Sequence, residues 1–148
     1  EGVGCGAVTT AMTLRALDEA LRRFGTMELA DLIVPAIAYC EEGFMVRPHV
    51  VAFWGQVPTE GRAPHVEFLT KLPATRKIYA KPEGKLRIAG EVLKTPDMGR
   101  TYRRIAAEGV EDFYSGQIAR AIADDMAAHG GTYVCGECHY AHLPEGRK

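Results

Sequence analysis

The sequence has no surplus of charge: eighteen basic residues stand against nineteen acidic ones among 148, for a net charge of −1. Nucleic-acid binding calls for a basic stripe or patch, and its absence argues against that partner. No apolar run approaches the ~20 residues that a membrane-spanning helix needs. Cysteine is sparse, and Cys5, Cys40, Cys135 and Cys138 are too scattered for a disulfide-dense secreted scaffold. Neither G-x-G-x-x-G nor G-x-x-x-x-G-K-[ST] occurs, so no loop is built to cradle a phosphate. The first residues carry no Met, no basic n-region and no apolar h-region, which leaves localisation unknown. What remains is an ordinary globular composition, 47% apolar and 25% charged, on a chain long enough for one domain.

Helical signals dominate. Leu14, Leu17, Leu21 and Phe24 fall on one stripe of a 3.6-residue period. Thr9 or Thr10 can cap that helix, Arg22 and Arg23 close it, and Gly25 stands where a left-handed residue is expected. In the next stretch, from Glu28 to Glu42, Pro35 would lose a hydrogen bond inside a helix. It is therefore expected to open a new helix that buries Ile37 and stops at Gly43. A third helix is expected from about Pro48 through Trp54. Prolines 58, 64, 73 and 82 break up residues 57 to 90, where Ile78–Ala80 and Leu86–Ile88 suggest a small hairpin about Pro82–Gly84. Thr95-Pro96-Asp97 starts another helix, with Met98, Tyr102 and Ile105 on one face and Gly109 at its end. A short turn, Glu111–Tyr114, leads to a last helix carrying Ile118, Ile122 and Met126 on one side. The fold class read from these signals is mainly α with one small β-hairpin.

Chemistry is harder to find. Cys135-Gly136-Glu137-Cys138-His139 spells the covalent haem pattern, but no apolar helix follows to wall a haem pocket. Cys135, Cys138, His139 and His142 are weak candidates for a metal site, since all four crowd into eight residues instead of closing a loop from two arms. A polar tail with two thiols is the plainer reading, and no cofactor is expected. Cys40 lies on an apolar helical face, where cysteine acts as a small hydrophobe. His49, His65 and His129 stand in no sequence relation to a nucleophile, and Glu41-Glu42 and Asp124-Asp125 read as solvated helix faces. No catalytic or substrate-binding residue is assigned.

Three stretches, in order, resemble the large subunit of the γ-glutamyltranspeptidases. The first runs from Val8-Thr9-Thr10 through Leu17–Met27 and Leu32–Ile37 to Glu41-Glu42-Gly43-Phe44, with the family's "[FY]-G", "P-A-I" and "E-x-G-F" elements. The second is Gly90-Glu91-Val92-Leu93, then Thr95–Met98 and Ile105–Gly109. The third is Asp112-Phe113-Tyr114-Ser115-Gly116-Gln117-Ile118-Ala119, closing at Gly130-Gly131-Thr132. Each motif alone says little, but shared order and spacing over about 120 residues is specific. The family-like core is expected at about 8–134, within a single helical segment 1–148, with 135–148 as an atypical tail. Val3–Gly6 also fits the family's preceding strand poorly.

The resemblance implies a segment of an αββα N-terminal-nucleophile hydrolase. In that family the new N-terminal Thr of a small subunit attacks a γ-glutamyl amide, and its own α-amine serves as base. A γ-glutamyl ester forms, the amine leaves, and water or an acceptor amino acid takes the glutamyl group. The implied partners are a small γ-glutamyl substrate and the remaining large- and small-subunit segments; the implied compartment is periplasmic or extracellular. The nucleophile's Thr-Thr-His start does not occur here, and Thr9-Thr10-Ala11 does not match it. No arginine matches the family's substrate-gripping one. The segment alone is therefore expected to be inactive, with self-association through exposed apolar helix faces as a further expectation. The competing classes are a non-catalytic helical interaction module and a metal-binding protein acting through Cys135–His142.

Overall fold

The computed structural model describes Val8 and residues 11–56 and 64–131. Among the described residues, eight helices and one two-stranded sheet follow in the order α1 (Thr13–Phe24), α2 (Leu29–Glu42), β1 (Phe44–Met45), α3 (Pro48–Trp54), α4 (His65–Thr70), α5 (Pro73–Tyr79), β2 (Val92–Leu93), α6 (Pro96–Glu108), α7 (Glu111–Tyr114) and α8 (Gln117–Ala128). The fold is thus mostly helical among the described residues. The described residues divide into two compact units, one built from those up to 35 and from 100 on, the other from those between 36 and 99.

In the 36–99 unit the sheet is antiparallel, with Phe44 opposite Leu93 and Met45 opposite Val92. Val46, Trp54 and Leu93 are buried together, and Val50, Ile78, Tyr79 and Leu86 pack against them. The chain reaches β1 through Gly43, whose φ of +93° is strained for any residue with a Cβ. A Cβ there would also stand 2.6 Å from Val92 Cγ1 and 2.9 Å from the Leu93 carbonyl oxygen. The Gly43 N–H bonds the Tyr39 carbonyl at 3.1 Å, so the same residue ends α2 and sets the sheet's approach. Gly99 lets the first turn of α6 close on the last turn of α2, where a Cβ would lie 3.0 Å from Glu41 Cγ and 3.3 Å from Cys40 Cβ.

In the other unit Ile105, Val110, Ala119, Ala123 and Met126 are buried. The buried seam of α8 is Ala119, Ala123 and Met126. Ile118 and Ile122, expected on the inner face, flank it half-buried. Helix α1 buries none of its residues: Leu17 is 60% and Phe24 82% exposed. Among the described residues its apolar stripe is thus only partly covered, with Leu14 and Leu21 half-buried.

Several expectations are corrected. Pro35 does not open a helix; it lies inside α2. It removes the bond that its N–H would give to the Asp31 carbonyl, a cost of about 3 kcal/mol. Ile37 and Cys40, buried in the two turns that follow, offset it. The division between the units falls at this proline. Gly25 is extended (φ −79°, ψ 159°), not left-handed. The arms of the expected hairpin do meet, at an Ala80–Leu86 bridge where the Arg87 N–H bonds the Tyr79 carbonyl at 3.0 Å, around a turn in which the Gly84 N–H bonds the Lys81 carbonyl at 2.8 Å, but they do not form regular strands. Its first arm is the end of α5, and the regular strands are β1 and β2. Pro64 and Pro73, read as breakers, instead stand at the N-cap of α4 and the first turn of α5. There a missing N–H costs nothing. Thr9 and Thr10, expected to cap α1, lie outside the described residues; the N-cap is Met12.

Candidate functional site

Two constellations stand out, one in each unit. In the first, the segment Glu111–Gln117 ties together three helices. Met12 makes no side-chain cap on α1, so the third-residue N–H, that of Arg15, needs another partner. The Tyr114 hydroxyl accepts it at 2.8 Å and donates to the Ala11 carbonyl at 2.7 Å, spanning 99 residues of sequence. The Arg15 guanidinium lies 4.4 Å over the Tyr114 ring and forms a two-pronged ion pair with Glu111. Phe113 packs edge-on against Tyr114 with ring centroids 5.1 Å apart.

Asp112 does the corresponding work for α8. Its Oδ1 accepts the Gln117 N–H at 2.9 Å, and the Ile118 N–H also points to it. Arg104 on α6 grips the same carboxylate twice, at 2.6 and 2.9 Å. The Arg104 bonds, helped by these N–H donors, hold the Asp112 carboxyl well below the usual carboxylate range. Glu111 is lowered as well, by its bonds to Arg15. Gly116 is required between them: a Cβ would collide with Asp112 Oδ1 and stand 2.6 Å from Asp112 Cα. An Asp held ionised by arginine and helix N–H groups is a poor general base or acid. The constellation is a capping knot, and the Asp112–Gln117 motif is its sequence signature.

In the 36–99 unit an open cleft of about 430 Å³ lies beside the sheet, walled by Phe44, Met45, Val46, Val50, Trp54, Tyr79 and Leu93, with Arg47 and His49 at the lining. Trp54 and Tyr79 meet edge-to-face, with ring centroids 5.8 Å apart. Nearby, Lys81 bonds Glu91 at 3.1 Å. The Ile88 N–H and Lys81 together lower the Glu91 carboxyl, and Glu91 raises Lys81.

The other sequence candidates are scattered. Cys40 is a buried free thiol whose backbone carbonyl accepts the Thr95 N–H at 2.9 Å. His65 Nδ1 lies 2.9 Å from the Phe53 carbonyl, which can only accept, so Nδ1 carries the proton; the ring packs tilted at 35° against Phe53, with centroids 4.5 Å apart. His129 bonds its own helix at the Asp125 carbonyl. None of these three approaches a nucleophile in the contacts it makes. Cys135, Cys138, His139 and His142 lie outside the described residues. Among the described residues no group of three or more His, Cys, Asp or Glu could hold a metal, and no helix is long and apolar enough to cross a membrane. Sequence reasoning missed Arg15, Arg104 and Arg47. Arg15 meets Glu111 and Tyr114 across separations of 96 and 99 residues, Arg104 meets Asp112 eight residues on without a helical i,i+4 spacing to announce it, and Arg47 carries no motif.

Against this geometry, the family model described as Gamma-glutamyltranspeptidase matches residues 1–134, taking in Val3–Gly6 and stopping before Cys135. The Acylase ACY 1 proenzyme of Pseudomonas sp. (strain V22) is 36% identical over 129 residues, 87% of this chain and 22% of that protein. The glutathione hydrolase proenzyme of Bacillus subtilis (strain 168) is 30% identical over 126 residues, 85% of this chain and 20% of that one. The chain thus spans about a fifth of the length of these relatives. Among solved structures, Helicobacter pylori γ-glutamyltranspeptidase superposes with a TM-score of 0.77 at 26% identity, over 95% of this chain and 38% of that one. Cephalosporin acylase from Bacillus halodurans does so with a TM-score of 0.74 at 28% identity, over 95% and 26%.

Proposed function

This chain belongs to the γ-glutamyltranspeptidase family, and from that membership we propose that it forms helical large-subunit scaffold of an αββα N-terminal-nucleophile enzyme that cleaves γ-glutamyl or related acyl amides. The scaffold positions other segments and contributes no nucleophile of its own. The observation that carries this reading is what the matched motif residues do. Gly43 turns the chain into β1, Asp112 caps α8, Tyr114 caps α1, and Gly116 makes room for Asp112. All four are engaged in backbone architecture. The sequence contains no Thr-Thr-His, the start at which the family's nucleophile stands.

Exposed apolar side chains support the same reading. Leu17 and Phe24 on α1, and Leu32 and Val34 on α2, are exposed along helices whose patterning is made for burial. Remaining segments of the enzyme would cover them. The acylase relatives keep the amide class wider than glutathione alone.

Two measurements test the proposal. The purified 148-residue chain is expected to release no aniline from a γ-glutamyl anilide; turnover would sink the scaffold reading. Conversely, residues 8–134 exchanged for the matching stretch of the Bacillus subtilis glutathione hydrolase should give a proenzyme that still cleaves itself and turns over the anilide. A soluble chimera that does neither counts against the scaffold being equivalent.

A further inference from the structure

We propose that the cleft of the 36–99 unit is a binding site for a small amphipathic carboxylate, one apolar ring or branched chain bearing a single carboxyl group. The inference goes beyond amide cleavage and rests on the cleft alone. Its volume of about 430 Å³ falls within the range of small-ligand pockets, roughly 300–1,000 Å³. Its walls are the fixed core of the unit: Val46 and Leu93 are 1% and 2% exposed, and Trp54 and Tyr79 are locked edge-to-face. An apolar body entering there meets side chains already held in place, so little ordering is lost on binding.

The lining is electrostatically one-sided. Arg47 and His49 are its ionisable groups besides the Tyr79 phenol, and no aspartate or glutamate lines it. Arg47 makes no ion pair or hydrogen bond through its guanidinium among the described residues, whereas Arg15 and Arg104 are each matched to a carboxylate. An unneutralised, always-charged planar donor beside an apolar depression selects a ligand that is greasy at one end and anionic at the other. A neutral apolar ligand would leave that charge unused, and a polar anion would leave the exposed Phe44 and Met45 side chains of the lining uncovered.

Trp54 is the sole tryptophan, so its fluorescence reports the cleft directly. The full chain is titrated with 3-phenylpropionate and, separately, with 3-phenylpropanol, which has the same ring and no charge. The expected result is a saturable Trp54 change with the carboxylate and binding about tenfold weaker for the alcohol. Arg47→Ala should erase that difference by weakening the carboxylate about tenfold, while Arg47→Lys retains part of it. Arg47 is exposed, so each variant is checked for an unchanged urea midpoint before titration. Equal affinity for acid and alcohol, insensitivity to Arg47→Ala, or no saturable signal would each overturn the assignment. So would a ligand-free signal that shifts with protein concentration, since a second copy would then occupy the cleft.

Discussion

Gly43→Ala and Gly90→Ala make a matched pair, because the two glycines share a backbone conformation and differ in surroundings. Their φ values are +93° and +89°, both in the 36–99 unit. Either substitution pushes a Cβ into left-handed backbone, at about 1–2 kcal/mol. At Gly90 nothing lies within 4 Å of the new Cβ, so the strain is the whole effect. At Gly43 the Cβ lands 2.6 Å from Val92 Cγ1, 2.8 Å from Lys94 Cγ and 2.9 Å from the Leu93 backbone oxygen. The side chains can give way, but the backbone oxygen belongs to the strand that pairs with β1. Overpacking of this kind adds about 1–3 kcal/mol. With a urea slope of about 2 kcal/mol/M, Gly90→Ala should lower the midpoint by ~0.5–1 M and Gly43→Ala by ~1–2.5 M. Trp54 fluorescence reads the transition in the unit that holds both sites, in dilute solution so that association does not stabilise the fold. Equal midpoints for the two variants would refute the reasoning, since close packing of α2 against β2 would then contribute nothing.

Tyr114→Phe removes the hydroxyl that serves both the Arg15 N–H and the Ala11 carbonyl while keeping the ring under Arg15. The loss should be about 1–2 kcal/mol, with the Arg15 amide losing hydrogen-exchange protection ahead of the middle of α1. Asp112→Asn should flatten the acid limb of the stability curve. Because the folded-state pKa of Asp112 is depressed, its contribution is present above the unfolded carboxylate range near about pH 4 and is lost as pH falls toward the folded value. Urea midpoints measured from pH 7 down to pH 2 should therefore drop below about pH 4 in the wild type and drop less in the variant. An unchanged acid limb would mean that Arg104 and the α8 N–H groups do not hold this carboxylate.

The helix starts and stops that carry their own chemistry were legible. Pro48 and Pro96 open α3 and α6, Gly109 closes α6, and the helix that buries Ile37 stops at Gly43. What proline means was ambiguous: Pro64 and Pro73 start helices, while Pro35 sits inside one, and only the packing of Ile37 and Cys40 decides. The β1–β2 pair was not legible, because two-residue strands have no period and their register is set by Gly43 and by the Gly90–Val46 and Val46–Glu91 backbone bonds. The cleft was invisible for a similar reason. Phe44, Trp54, Tyr79 and Leu93 lie as many as 49 positions apart, and no spacing rule joins them. Family order was legible where chemistry was not.

That asymmetry has a physical cause. A motif survives as a readable string when its residues act on one another locally, and in this chain the local work is backbone geometry. Asp112 and Gly116 lie four apart because a carboxylate reaching forward over one turn can cap α8 only if the residue at the turn has no Cβ. Glu42-Gly43-Phe44 reads as a unit because the helix must end, reverse its φ and enter a strand within three residues. Substitution at these positions should therefore lower the folded fraction of any enzyme that contains the segment, and leave the chemistry of its folded molecules intact. Activity per folded molecule, measured in the Bacillus subtilis chimera carrying Gly116→Ala, is the quantity that separates the two. If total activity falls in proportion to folded protein, Gly116 is architecture. If it falls further, the capping knot reaches the site.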